Sequence, residues 1–119
     1  MVILGVALAG GVGAVIRWIL TSWLDNRSRR GAGTGVANLA GAFALGLLVT
    51  LTDAGRIDPF WATVLGTGFL GALTTFSTWM IETLEESRRG AGSIWIRVLP
   101  LTLAGIALAW IGMLTGGGV

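Results

Sequence analysis

The sequence predicts an all-α membrane protein with four transmembrane helices, and three observations carry that prediction. The hydrophobic class makes up 54% of the 119 residues, and the 20 glycines raise the apolar share to about 71%, against roughly 45–50% for a soluble domain counted the same way. Charged residues amount to only 12%, and mean hydropathy is +0.82, which leaves too little polar surface to coat a water-exposed domain. The charges fall almost entirely into short stretches. Between these lie runs long enough to cross a bilayer core of about 30 Å, for which about 20 helical residues suffice.

The first span is expected over 2–24. It has no charge except Arg17 and ends at the aqueous run Asp25–Asn26–Arg27–Ser28–Arg29–Arg30. A cleaved signal peptide does not fit, because there is no basic leader and Arg17–Trp18 is unlike a small-residue cleavage site. The second span, 32–52, lies in a run of 22 charge-free residues from Gly31 to Thr52, closed by Asp53, Arg56, Asp58 and the turn at Pro59. The third, 60–81, lies in 23 more from Pro59 to Ile81. Glu82, Glu85, Glu86, Arg88 and Arg89 follow and extend the helix by a turn or two before a break at Gly90–Ala91–Gly92–Ser93. The fourth span covers 94–114.

Trp18, Trp23, Trp61 and Trp95 fall near span ends, where amphipathic rings favour the membrane interface. Trp79 and Trp110 do not fit that belt. Small residues recur at helical spacing: Gly5, Ala9 and Gly13, then Ala37 and Gly41, then Gly105 and Ala109. Such faces let helix backbones approach closely where lipid supplies no hydrophobic driving force. Four short helices enclose little interior alone, so part of this packing is expected between subunits.

Whole classes of chemistry drop out. The chain has neither cysteine nor histidine, so disulfides, thiol nucleophiles, imidazole bases and the usual zinc, haem and copper ligands are absent. All eight basic residues are arginines in short clusters, not the basic groove that would track a nucleic acid. The carboxylates sit at loops and no nucleophile–base pair is evident, so an enzyme is not expected.

The third span is built from poor helix formers. Gly66, Gly68 and Gly71 each cost about 1 kcal/mol relative to alanine, and Thr74, Thr75, Ser77 and Thr78 compete for backbone hydrogen bonds. The expectation is a helix broken near the midplane, with the functional centre between Gly71 and Thr78. Irregular backbone at that depth needs protein or a wet cavity around it, and its freed carbonyls can hold a cation. Hydroxyls that simply bond back to their own helix are the competing reading. Asn38, seven residues into the second span, is either interhelical glue or part of a pore. Arg17 either snorkels to the interface or faces an aqueous vestibule that attracts anions. No acidic residue lies deep in any span, which argues against a proton-coupled or cation transporter.

Three segments resemble the Fluc (CrcB) family of fluoride ion channels: Gly10–Gly11–Val12–Gly13–Ala14–Val15–Ile16–Arg17, Gly33–Thr34–Gly35–Val36–Ala37–Asn38–Leu39–Ala40–Gly41, and Gly68–Phe69–Leu70–Gly71–Ala72–Leu73–Thr74–Thr75–Phe76–Ser77–Thr78. The similarity runs through nearly the whole chain in the same order. It implies a multi-pass protein of the cell membrane that exports fluoride passively and so limits its toxicity. It also implies an antiparallel, inverted dimer with the third helices broken at the centre. A structural sodium ion at the dimer interface would be held by the backbone carbonyls of Gly71 and Thr74. The pore would be lined by Asn38, Phe76, Ser77, Trp79 and Thr102, with Arg17 at the vestibule, Glu82 just after the third motif, and Gly68, Thr75 and Thr78 within it.

Trp79 stands where the family usually has a second phenylalanine, and Ile106 where a second hydroxyl is common one turn after Thr102. Arginines cluster at the first and third loops, whereas the opposite side has Arg56 alone. The positive-inside rule then favours one orientation with both termini outside. The dimer partner is accordingly either an identical chain or a homologous subunit inserted the other way. Two other readings are a four-helix antiparallel multidrug transporter, which would want a glutamate in the first span, and a non-transporting membrane subunit. The latter leaves Asn38 and the hydroxyl cluster at 74–78 without a role.

Overall fold

The computed structural model describes residues 1–90 and 92–118 and is helical apart from its turns. Of the expected break at 90–93, Ala91 lies outside the described residues. Helix α1 runs Val2–Arg27, α2 Ala32–Asp53, α3 Pro59–Thr63, α4 Gly71–Leu73, α5 Phe76–Arg88 and α6 Trp95–Gly117, with a π-helical segment, Val64–Leu70, joining α3 to α4. Four segments are long and apolar enough to cross a membrane: Val2–Arg27, Ala32–Asp53, Pro59–Arg88 and Trp95–Gly117. The molecule is a multi-pass membrane protein.

Local chemistry sets the helix ends. At 26 residues, α1 is about 39 Å long and projects beyond the hydrocarbon core. Its last turn carries Arg27, whose guanidinium lies 4.5 Å from the centre of the Trp23 ring. That cation–π contact joins an interfacial ring to a charge in water. The chain then reverses through Gly31, whose φ of +86° favours a residue without a Cβ. The side chain of Asp25 accepts the Gly33 N–H at 2.9 Å and so satisfies one of the unpaired donors that open α2. At the other end, Asp58 caps α3 by accepting the Phe60 N–H at 2.8 Å, with Pro59 in the first helical position.

Small residues decide the packing. Helix α2 meets α6 over the most extensive contact in the molecule. A Cβ on Gly46 would collide with the Ala109 carbonyl, and one on Gly112 with the Phe43 carbonyl. Of the small residues expected on the fourth span, Ala109 makes this contact, whereas Gly105 has no neighbour within 4 Å of its would-be Cβ. Gly112 and Gly116 take over the close approach along the next two turns. Helix α1 lies against the first half of the third span, with Gly13 under the Phe69 carbonyl and Gly68 against the Val6 backbone.

The interior is small. Ala37, Leu48, Leu70 and Leu73 form its buried centre, flanked by Ile16, Leu20, Ala44, Ile57 and Phe69. The molecule measures 49 × 30 × 21 Å, a slab about two helix diameters thick. Broad apolar faces therefore look outward, with Leu8 65% and Ile106 63% exposed. In water such faces would be a liability, but in lipid they meet a solvent of their own kind.

The close contact between α2 and α6 predicts that Gly46→Val, which forces a side chain into the Ala109 carbonyl, destabilises the fold by about 1–3 kcal/mol. Gly11→Ala, facing open space, is expected to be neutral. Unfolding in mixed micelles, followed by helical circular dichroism, checks both.

Candidate functional site

The site is organised around two residues that leave the helix. Thr74 (φ −89°, ψ 149°) and Thr75 (φ −153°, ψ 119°) are extended, and α5 begins at Phe76. In an uninterrupted α-helix the Thr75 N–H would bond to the Gly71 carbonyl. Here it donates to Asn38 Oδ1 at 2.8 Å, while Asn38 Nδ2 donates to the Thr75 carbonyl at 2.9 Å. The asparagine amide thus pairs with both backbone groups of one residue, the N–H and the C=O of Thr75, as a neighbouring strand would, replacing the helical bonds that the extended conformation removes. Unpaired, each of those backbone groups would cost several kcal/mol in an apolar medium.

The hydroxyls divide their roles. Thr74 returns its own to the Leu70 carbonyl at 2.9 Å. Thr75 Oγ1 caps α5, accepting from the Thr78 N–H at 3.4 Å and donating to Thr78 Oγ1 at 3.2 Å, with Ser77 Oγ 3.4 Å away. Both readings of these hydroxyls are thus represented. Thr74 bonds back to its own helix, and Thr75 starts a new one.

A groove-like cavity of about 290 Å³ opens beside this interruption, lined by Asn38, Leu39, Thr74, Thr75, Phe76, Trp79, Leu101, Thr102 and Gly105. It brings together six of the expected site residues from α2, the third span and α6: Asn38, Thr74, Thr75, Phe76, Trp79 and Thr102. Its walls carry neutral polar groups, the Asn38 amide and the threonine hydroxyls, with no carboxylate or arginine among them. The rings of Phe76 and Trp79 meet edge to face, with centroids 5.8 Å apart at 73°. Phe76 is 66% exposed whereas Trp79 is buried.

Other expected residues stand apart. Arg17 lines a second cavity of about 440 Å³ together with Asp25, Thr34, Thr78 and Glu82. Ser77 is exposed and meets the cluster only through Thr75. Gly68 lies behind the site, against α1. A third cavity of about 490 Å³ shares Leu39, Trp79 and Leu101 with the central one and reaches Arg29, Arg30, Glu86 and Arg97 at the loop end.

Thr34 is a site residue that the sequence reading did not single out. It is fully buried, and its hydroxyl donates to Glu82 Oε1 at 3.2 Å, while Glu82 Oε2 is buried with no hydrogen-bond partner among the described residues. Its position four residues before Asn38 puts both polar side chains on one face of α2, a spacing that could have found it.

A model of the family described as CrcB-like protein, Camphor Resistance (CrcB), matches residues 4–113. The chain is 41% identical over 118 residues to fluoride-specific ion channel FluC 1 of Symbiobacterium thermophilum, an alignment covering 95% of each protein. It is 43% identical over 115 residues to fluoride-specific ion channel FluC 2 of Moorella thermoacetica, covering 94% of this chain and 93% of that one. A third relative, fluoride-specific ion channel FluC of Acidobacterium capsulatum, is 38% identical over 117 residues. Since the match spans all four long helical segments, including the Asn38–Thr75 pair and the cavity around it, the chain belongs to the CrcB (Fluc) family.

Proposed function

We propose that this protein is a fluoride-selective channel that lets the ion leave the cytoplasm down its gradient. The relatives' names supply the ion, and the observation that supports the reading here is the cavity of neutral donors held open by the Asn38–Thr75 pair. Fluoride is small and strongly hydrated, so a pore must replace its water with hydrogen-bond donors. Asn38 has two amide N–H groups, of which one is committed to Thr75; the other is available to an ion. The hydroxyl of Thr102 and the positive ring edges of Phe76 and Trp79 add weak, uncharged contacts. Such contacts let an ion enter and also leave, whereas a guanidinium at the narrowest point would retain it. Arg17, set apart in its own cavity, serves as a vestibule residue that raises the local anion concentration. Ser77, exposed beside Thr75, joins the pore lining.

The assembly is an antiparallel dimer in which the interruption at Thr74–Thr75 lies near the membrane midplane. The exposed apolar faces and the thin slab shape support a partner. The residues also fit a sodium ion. The Gly71 carbonyl has lost its helical donor to Asn38, and the extended Thr74 turns its own carbonyl out of the helical ladder. Uncharged oxygens of this kind suit a hard monovalent cation, and sodium bound there would neutralise carbonyl dipoles left without hydrogen-bond donors.

Fluoride efflux from liposomes, read with a fluoride electrode, tests the function. The chain is reconstituted alone and also with a family member of opposite charge bias, and chloride serves as the control ion. Fluoride-selective efflux is expected, and Asn38→Ala should lower it by at least about tenfold, the ratio corresponding to one strong hydrogen bond. Chloride moving as fast as fluoride would overturn the reading. Exchanging sodium for N-methylglucamine on both sides should slow efflux, with recovery when sodium returns; unchanged rates would remove the cation from the assembly.

A further inference from the structure

We infer that an anion reaches the Asn38 groove through the cavity of about 490 Å³ between α2, α5 and α6, and that Arg97 draws it into that passage. The identity of the ion rests on the channel reading above; the wet, anion-attracting path does not. Two cavities open at the end of the molecule where the first and third turns meet. The one that holds Arg17 has no lining residue in common with the central cavity. The other shares Leu39, Trp79 and Leu101 with it, one residue each from α2, α5 and α6. A path from water to Asn38 through this second cavity crosses one apolar threshold. A path past Arg17 meets the hydrogen-bonded pair Thr34 and Glu82 in the cavity wall.

The lining suits both water and an anion. Pro100 lies inside α6 and has no N–H to offer the Ile96 carbonyl one turn earlier. Both residues line the cavity, so water in it can serve that carbonyl. The charged part of the lining is Arg29, Arg30 and Arg97 against Glu82 and Glu86, an excess of one guanidinium. Arg29 and Arg30 are exposed at the turn, where salt screens them. Arg97 stands deeper, its side chain 25% exposed and that of its partner Glu86 14%. A guanidinium has five N–H donors, and one carboxylate takes two of them at most in a bidentate contact. The others remain for an anion. Arg97 also precedes Leu101 by four residues, about one helical turn, so the charge stands outside the threshold and attracts an ion without holding it in the central groove. Neutralising Glu86 strengthens that pull, and neutralising Arg97 abolishes the excess.

Thiol labelling tests the passage without reference to fluoride. The chain has no cysteine, so Leu101→Cys places a single reactive group at the threshold, and Leu39→Cys is a second variant on the neighbouring helix in case the first fails to fold. Leu103→Cys is the control, two residues along α6, 64% exposed and lining neither cavity. In the reconstituted protein an anionic methanethiosulfonate should modify the Leu101→Cys thiol at least about tenfold faster than the Leu103→Cys thiol, because the reactive thiolate is disfavoured in apolar surroundings. Its advantage over a cationic reagent of similar size should fall about threefold in R97Q, persist in R97K, rise in E86Q and shrink in high salt. Equal labelling of the two thiols, or an anion preference lost in R17Q and kept in R97Q, would overturn the passage. Fluoride efflux should fall in R97Q and rise in E86Q in the same proportions. Labelling as expected with no fluoride efflux from any variant would remove the channel reading and leave the passage in place.

Discussion

Everything at the centre of this protein depends on satisfying backbone hydrogen bonds where water is scarce. A helix does so by itself, and a chain that leaves the helical path inside lipid must find other partners at once. Asn38 provides them for Thr75 with one donor and one acceptor, matched to the C=O and N–H of that single residue. The extended pair at Thr74 and Thr75 is thereby locked to α2. The cavity beside it is a consequence, because the chain departs from the helix axis there and the side chains of Phe76, Trp79 and Thr102 cannot close the gap. The structure realises the tie between helices, and the pore reading proposed for Asn38 is compatible with it, because one amide N–H stays outside that pair.

The parts of the fold that rest on composition were legible in the sequence. Uninterrupted apolar runs bounded by charges located the four membrane-crossing segments, since hydropathy and length alone decide whether a segment enters lipid. Asn38, Phe76, Trp79 and Thr102 were named from the family resemblance, and they meet around one cavity. What was not legible depends on contacts between distant residues. The π-helical winding of Val64–Leu70 leaves no mark in composition; it accompanies the seating of Gly68 on Val6 and of Gly13 on Phe69. The pairing of Thr34 with Glu82 needed α2 and α5 to be side by side. Gly112 and Gly116 were overlooked in favour of Gly105 because glycine spacing shows that a close face exists, without showing which turns of it meet a neighbour.

Charge and packing act on different scales in this molecule. The helix contacts are short-range and use carbonyls and missing side chains, with Gly46 and Gly112 each accepting the neighbouring backbone. The arginines act at the ends, where Trp23, Glu85 and Glu86 hold three of them in defined places. Within the central cavity neither device is present, and only neutral donors and ring edges remain. On the proposed reading, a small, strongly hydrated anion would meet attraction there without a binding charge, which is the condition for rapid exchange between neighbouring positions.

Helix α5 is held in an unusual way. It touches α2 and α6 only sparsely, and its polar anchors are few: the Asn38–Thr75 pair before its first turn, the Thr34–Glu82 hydrogen bond at its middle, and the Arg30 and Arg97 ion pairs near its last. Between them Thr83 and Trp79 are buried, but Phe76, Ile81 and Leu84 face outward. Local opening follows the distribution of buried contacts, so this helix is expected to open more readily in the isolated subunit than α2 or α6, which pack on each other. Its amides are expected to exchange with deuterium ahead of those in α2 and α6.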